Sequence, residues 1–196
     1  MNFFPPLFSA VLGAGLTLAT AQDGPLPTLY QPENPNQNLV AELVGHLGLN
    51  GTGIELGYYP HPNVNLNVDV VAAVSGFRLG GGARLFANET GEFSPFIALD
   101  GFVTTGVSNL VVTVNEDKAE YRISPAKLLI PSMGIRYALL NFANVYGTVG
   151  YAFALTGGDA AFVAGDYSES VDRLANFLEP DGLQIMLGVS WRFTGR

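Results

Sequence analysis

A chain of 196 residues in which only 13% are charged carries about half the charge of an average soluble domain, where the share is roughly 25%. The formal net charge of −8, with Lys and Arg together numbering 9, excludes the basic stripe that binding to a phosphate backbone requires, so no nucleic-acid partner is expected. The lack of cysteine excludes a disulfide framework, a thiol nucleophile and a thiolate metal site.

Residues 1–21, MNFFPPLFSAVLGAGLTLATA, read as a secretory signal peptide. Residues 7–18 form an apolar core of suitable length, and Ala19-Thr20-Ala21 makes a small-residue cleavage pattern before Gln22. The leader departs from the usual form in having no Lys or Arg before its apolar core. It is also shorter than the roughly 20 residues a spanning helix needs, and no later apolar run is long enough either. Residues 22–38 are rich in Pro, Asn and Gln with little to bury, the composition of a flexible linker.

From residue 39 onward the chain alternates. Segments 39–48, 53–59, 64–74, 76–87, 93–105, 128–139, 144–155 and 182–193 each place apolar residues at every second position. In the third, Val64, Leu66, Val68, Val70, Ala72 and Val74 alternate with Asn65, Asn67, Asp69, Val71 and Ala73. In the last, GLQIMLGVSWRF, one face carries Leu183, Ile185, Leu187, Val189, Trp191 and Phe193. Its other face carries Gln184, Met186, Gly188, Ser190 and Arg192. Most segments are near the 9–11 residues with which a tilted strand crosses a bilayer. The short connections 60–63, 88–92 and 140–143 fall on the side of both termini, if the strands run up and down. The opposite side receives two tight turns and two long connections, 106–127 and 156–181, which is the outer-membrane arrangement. Residues 39–193 are therefore expected to form one all-β domain, an eight-stranded antiparallel up-and-down transmembrane barrel, followed by a tail at 194–196.

The long connections have patterns of their own. Residues 108–124 alternate around a turn candidate at 115–118, which predicts a hairpin extending past the membrane. In 156–181, Val171, Leu174 and Leu178 stand at helical spacing with Pro180 as a stop, which predicts a helical turn or two over the mouth. This second loop is acidic, with Asp159, Asp166, Glu169, Asp172, Glu179 and Asp181 against Arg173. It holds no twelve-residue calcium-loop pattern and reads as a solvated acidic loop.

Alternation alone does not say which face is outside, and a lipocalin-like carrier has the same period. The charges on the strands favour the membrane sense. Glu42, Glu55, Asp69, Arg78, Arg84, Asp100, Arg136 and Arg192 all fall on the polar face, four acids with four bases, as burial in a lumen would require. Around them that face reads mostly Gly, Ala, Ser, Thr and Asn, small enough for an interior that eight strands leave just wide enough to fill. Glu42 and Arg192 are expected to interact near the termini, with Asp69, Arg84 and Asp100 as a second inward cluster. The aromatics of the apolar face form two bands. Tyr58, Tyr137, Trp191 and Phe193 lie toward the termini, and Phe77, Tyr151 and Phe153 toward the long loops, matching interfacial girdles.

On this pattern and this terminal strand, residues 39–193 resemble the small outer-membrane barrels of the OmpA/OmpX type. The resemblance implies periplasmic chaperone escort and insertion by an outer-membrane assembly machinery. It also implies a location in outer-membrane lipid after signal-peptide export. Chains of that type often end on the terminal aromatic, whereas this one adds Thr194-Gly195-Arg196 after Phe193.

Little in the chain carries chemistry. His61 lies in a turn, and His46 shares the polar face with Glu42 but belongs to no Ser/His/carboxylate motif, so it reads as a satisfied lumen residue. Gly80-Gly81-Gly82 follows no strand-to-helix turn and is no phosphate cradle. No catalytic residue, metal ligand set or cofactor is implied. The expected function is a non-enzymatic, structural or surface-binding barrel whose hairpin at 106–127 meets a surface partner. A narrow pore for small solutes, an exported lipocalin-like soluble carrier and a membrane-bound lipid-modifying enzyme are the alternatives.

Overall fold

The computed structural model describes residues 40–49, 51–87, 92–140, 143–165 and 168–194. The expected leader and linker, most of the turn at 88–92 and the last two tail residues lie outside these. Among these residues eleven strands and one helix follow in chain order. They are β1 (Val40–Gly48), β2 (Gly51–His61), β3 (Val64–Ala73), β4 (Gly76–Phe86), β5 (Phe93–Thr104), β6 (Val107–Val114) and β7 (Asp117–Ile123). They continue as β8 (Lys127–Leu140), β9 (Ala143–Thr156), β10 (Ala160–Gly165), α1 (Glu169–Phe177) and β11 (Gly182–Thr194).

Eight of the strands close into an antiparallel barrel in the order β1-β11-β9-β8-β5-β4-β3-β2. The seam joins the first strand to the last, with Val40 opposite Thr194 and Leu43 opposite Trp191. The final strand thus runs one residue further than its alternation indicated. β2 is longer than the segment 53–59, because Gly51-Thr52 at one end and His61, past an irregularity, at the other pair on without adding to the apolar pattern. Between β3 and β4 the chain reverses at Gly76, whose φ is +108 and where a Cβ would run into the Gly106 carbonyl. Only glycine suits that position.

The sense of the wall follows from exposure. Ile54, Leu56, Val68, Val70, Leu79, Leu99, Met133 and Leu187 are half or more exposed on the outside, while Glu42, Glu55, Asn65, Arg84 and Arg136 are buried inside. Soluble monomers rarely expose contiguous apolar patches beyond a few hundred Å². A whole wall of such residues is the reverse of a soluble carrier, which would turn them inward. Alternation sets this pattern, since successive side chains point to opposite faces and a closed sheet has only an inside and an outside.

The remaining elements form a cap at the mouth, the end of the barrel opposite the termini. β6 and β7 make the expected hairpin, turning at Asn115 in the left-handed region (φ +56). They belong to a separate three-stranded sheet in the order β10-β7-β6. β10 was not expected. Its sequence AAFVAG is short and rich in Ala and Gly, residues with little strand preference, and a bulge between Phe162 and Ala164 interrupts it. The helix is present and starts on Ser168, whose side chain accepts from the Val171 N–H. Its buried face is Val171 and Ala175, packed on Val112, Ala119 and Tyr121. Leu174, expected on that face, is 37% exposed. The fourth position along meets the sheet here, because i and i+4 stack on one helix face. No helix among the described residues is long and apolar enough to cross a membrane; the barrel strands have the length and the apolar face that suit a bilayer.

Placing a charge midway along the outer wall tests this sense directly. Val68→Arg is expected to cost about 2–4 kcal/mol in a bilayer, read from denaturant unfolding in lipid vesicles. An unchanged midpoint would mean that Val68 does not face lipid.

Candidate functional site

The inner face divides into a packed half near the termini and a hollow half near the mouth. In the packed half Glu42 of β1 is wholly buried and gathers donors from three other strands. Tyr59 of β2 donates at 2.5 Å, Tyr146 of β9 at 2.9 and 3.0 Å, and Ser190 of β11 at 2.5 Å. Asn144 of β9 adds its amide at 3.2 Å. Arg192, expected to pair with Glu42, lies at 3.7 Å through Nε, within ion-pair but beyond hydrogen-bond reach. Donors from three strands satisfy this buried carboxyl without water, the condition for burying a polar group at all.

Around Glu42 the inner face is aromatic, which the sequence reading did not anticipate. Tyr59, Phe86, Phe96 and Tyr146 are all buried, with successive ring centroids at 6.1, 5.1 and 5.9 Å. The two tyrosine hydroxyls meet at 3.2 Å, so the rings form a collar across the lumen. Arginines stack on it: Arg136 lies 4.5 Å from the Phe86 centroid, Arg192 4.9 Å from Tyr59, and Arg84 between Phe96 and Tyr146 at 5.7 and 5.6 Å. Such stacking neutralises part of the desolvation cost of a guanidinium. A signal existed in parity, because Tyr59, Phe86 and Phe96 occupy the same alternate positions as the charges of their strands, and Tyr146 the same as Asn144 and Thr148. Gly134 makes room for the collar, since a Cβ there would meet the Phe96 ring at 2.5 Å.

Higher up, Glu55 and Asp69 stand directly opposite each other on β2 and β3, an arrangement that is unfavourable unless each finds a partner. Arg84 takes Glu55 through both guanidinium nitrogens. His46 takes Asp69, with Nε2 at 3.0 Å from both carboxylate oxygens. To reach it, the imidazole of β1 lies across β2 over Gly53, where a Cβ would meet the ring at 2.5 Å. The expected cluster of Asp69, Arg84 and Asp100 is therefore partitioned differently. Arg84 is committed to Glu55, and Asp100 accepts from Asn67 at 3.3 Å. Arg78 reaches from β4 to Gln184 on β11, the opposite wall, at 3.5 Å, and to Ser75 at 3.3 Å. Beneath it lies a cavity of about 80 Å³ bounded by His46, Asp69, Asp100, Phe102, Thr148 and Gln184.

Of the predicted girdle, Tyr58, Phe77, Tyr137, Tyr151, Phe153 and Phe193 are exposed on the outer wall, and Trp191 is half-buried there. Tyr58 and Phe193 flank Ala41 on neighbouring strands, and Phe93 joins Tyr137 in the termini-side band. On the mouth side Tyr151 and Phe153 touch at 4.9 Å. His61 is exposed in its turn, its Nδ1 accepting from the Asn63 N–H at 3.3 Å. Among the described residues no three of His, Cys, Asp or Glu converge as a metal-ligand set.

No family model matches the chain, and no curated protein matches it. Its fold is similar to the crystal structure of the N-terminal β-barrel domain of Pseudomonas aeruginosa OprF, at 12% identity and a TM-score of 0.52, covering 79% of this chain and 96% of that one. Weaker likenesses are to Neisserial surface protein A (11% identity, TM-score 0.46, 79% and 96% covered) and Acinetobacter baumannii CarO (12%, 0.43, 82% and 100%). The first of these shares the closed β-barrel fold.

Glu42→Ala would leave Tyr59, Tyr146, Asn144 and Ser190 without their acceptor and Arg192 without its counter-charge. A loss of about 3–5 kcal/mol is expected, the usual cost of breaking a buried ion pair. Glu42→Gln, which keeps an acceptor oxygen, should lose less. Equilibrium unfolding in detergent or vesicles reads both.

Proposed function

We propose that the chain is a non-enzymatic outer-membrane barrel that anchors a folded cap at the cell surface, where the cap meets a partner. The observation that carries this reading is the pairing of an apolar outer wall with a lumen crossed by the Glu42-centred aromatic collar. A wall of that kind belongs in lipid, and a collar of that kind leaves no path for solutes. The aromatic bands would settle at the two interfaces of the bilayer. Lipid of the outer membrane is then the solvent of the wall. Export would use residues 1–21, and insertion would use an outer-membrane assembly machinery that reads the β1–β11 seam strand.

The buried charges support a structural role for Glu42, Glu55, Asp69, Arg84, Arg136 and Arg192, since each has a partner on another strand or ring. His46 is held by Asp69, which favours a structural over a catalytic part. A through-pore finds less support, because the collar spans the lumen. The cap supports surface binding. It has its own small core, and its edge strands β6 and β10 are each paired on one side only. Val111, Phe162, Val163 and Phe177 are exposed on it. Edge strands of this kind capture extended segments by adding a strand.

The expected surface hairpin cannot be tested by itself, because β10 pairs with β7 and α1 packs on β6 and β7. The informative deletion replaces residues 107–123 and 160–177 together with short turns. We expect the truncated chain still to fractionate with outer membranes and to shift its gel mobility on boiling. A chain that no longer folds would make the cap part of the barrel's stability instead of a module carried by it. In planar bilayers the full chain should show no steady conductance, and a stable open channel would overturn the closed lumen.

A further inference from the structure

The two free edges of the cap are not alike. In β10 the Ala160 N–H is already taken by Glu179 at 2.9 Å, and a bulge between Phe162 and Ala164 breaks the strand. Bulges blunt an edge against further pairing. β6 has no such guard from Leu110 to Val114, where it pairs regularly with β7, and its sequence VSNLVVTV holds no charge and no proline. The helix is just as lopsided. On the β10 flank Asp172 accepts from Tyr121, and Glu179 feels Asp159 and Asp181. At about 100° per residue the opposite flank, toward the free side of β6, carries Ser170, Leu174 and Phe177. Leu174 is 37% and Phe177 69% exposed. An unguarded strand thus borders an uncharged apolar helix flank.

We infer that this edge pairs with the β6 edge of a second copy of the chain, antiparallel and centred on Val112. The inference rests on the surface-binding role proposed above and makes the partner the chain itself. Identical edges related by a two-fold axis are self-complementary. In this register Leu110 stands opposite Val114 of the second copy, so all helix-facing residues stay on one face. Spacing agrees. Each helix packs over β6 and β7, so the two helices stand two strand spacings apart. That is about 9.6 Å, within the roughly 8–10 Å at which helices pack. Leu174 and Phe177 then meet their own copies across the axis. Charge agrees too. Glu116, at the hairpin tip, comes beside the strand end where Arg122 of the second copy stands, once on each side of the axis. β6 leads away from the barrel mouth and β7 returns to it. Antiparallel copies therefore meet head to head, as chains of two facing membranes do.

The chain has no cysteine, so single cysteines report the contact without background. In detergent micelles, a mixture of V111C and T113C full-length chains should form a disulfide-linked dimer under mild oxidation several times faster than either variant alone. The register sets these two positions opposite each other, within disulfide reach. Sedimentation of the unmodified chain should show a dimer, and F177D should weaken it by about tenfold or more while keeping the mobility shift on boiling. Lipid vesicles carrying the unmodified chain should cluster, and vesicles carrying F177D should stay apart. The proposal is overturned by an unmodified chain that remains monomeric at high concentration, by equal cross-linking in all three samples, by a dimer indifferent to F177D, or by unmodified-chain vesicles that do not cluster. Labelling of T113C in intact cells with a membrane-impermeant maleimide reads the surface position separately. A labelled cap that does not pair overturns this inference alone, whereas an unlabelled cap overturns the surface role and this inference with it.

Discussion

The Glu42 carboxylate is the contact on which the closed barrel depends most. It sits on the first strand, and its donors come from β2, β9 and β11. The β1–β11 seam joins the two ends of the described chain, so this acceptor ties the closing edge to the wall beyond it. A backbone ladder alone would hold the seam equally well in a shifted register. Side chains decide between registers, because a one-residue slip turns every residue to the other face. Here a slip would push Glu42 and Arg192 into the apolar exterior together. The cost of a charge in that position fixes the pairing.

The same economy shapes the rest of the lumen. Eight strands leave an interior just wide enough for side chains to fill it, so each long residue needs a gap beside it. His46 lies over Gly53, and Phe96 presses against Gly134. Glycines that alternation marks only as small polar-face residues are sockets for particular partners. The packed half therefore has no slack, whereas the mouth half keeps a cavity because Arg78 spans it without a carboxylate to draw it down.

The cap follows ordinary soluble rules on top of a membrane-like wall. Its helix buries Val171 and Ala175 against Val112, Ala119 and Tyr121, and its termini are fastened by local bonds. Ser168 caps the first turn, and Glu179 accepts from the Ala160 N–H at 2.9 Å, tying the start of β10 to the end of α1. Two loops distant in sequence thereby become one unit. The Thr104–Ala126 bonds at 2.8 and 2.9 Å mark where the wall ends and the cap begins.

Much of the architecture was legible in the residues themselves. Alternation with period two is a local property of extended chains, so strand count, inner and outer faces and the side of the long loops can be read without coordinates. The same parity assigns the strand charges to one face and the aromatics of the expected girdle to the other. Partnership was not. Which acid meets which base depends on strand stagger and on side chains crossing a lumen, as Arg84 does to Glu55 and His46 to Asp69. The rings of the aromatic collar lie on the polar-face parity of their strands but could not be known to meet across the barrel. β10 was hidden because Ala and Gly carry little strand preference, and only pairing with β7 makes it a strand. Periodicity is set one residue at a time, whereas contact across a closed barrel is set by every strand's position at once.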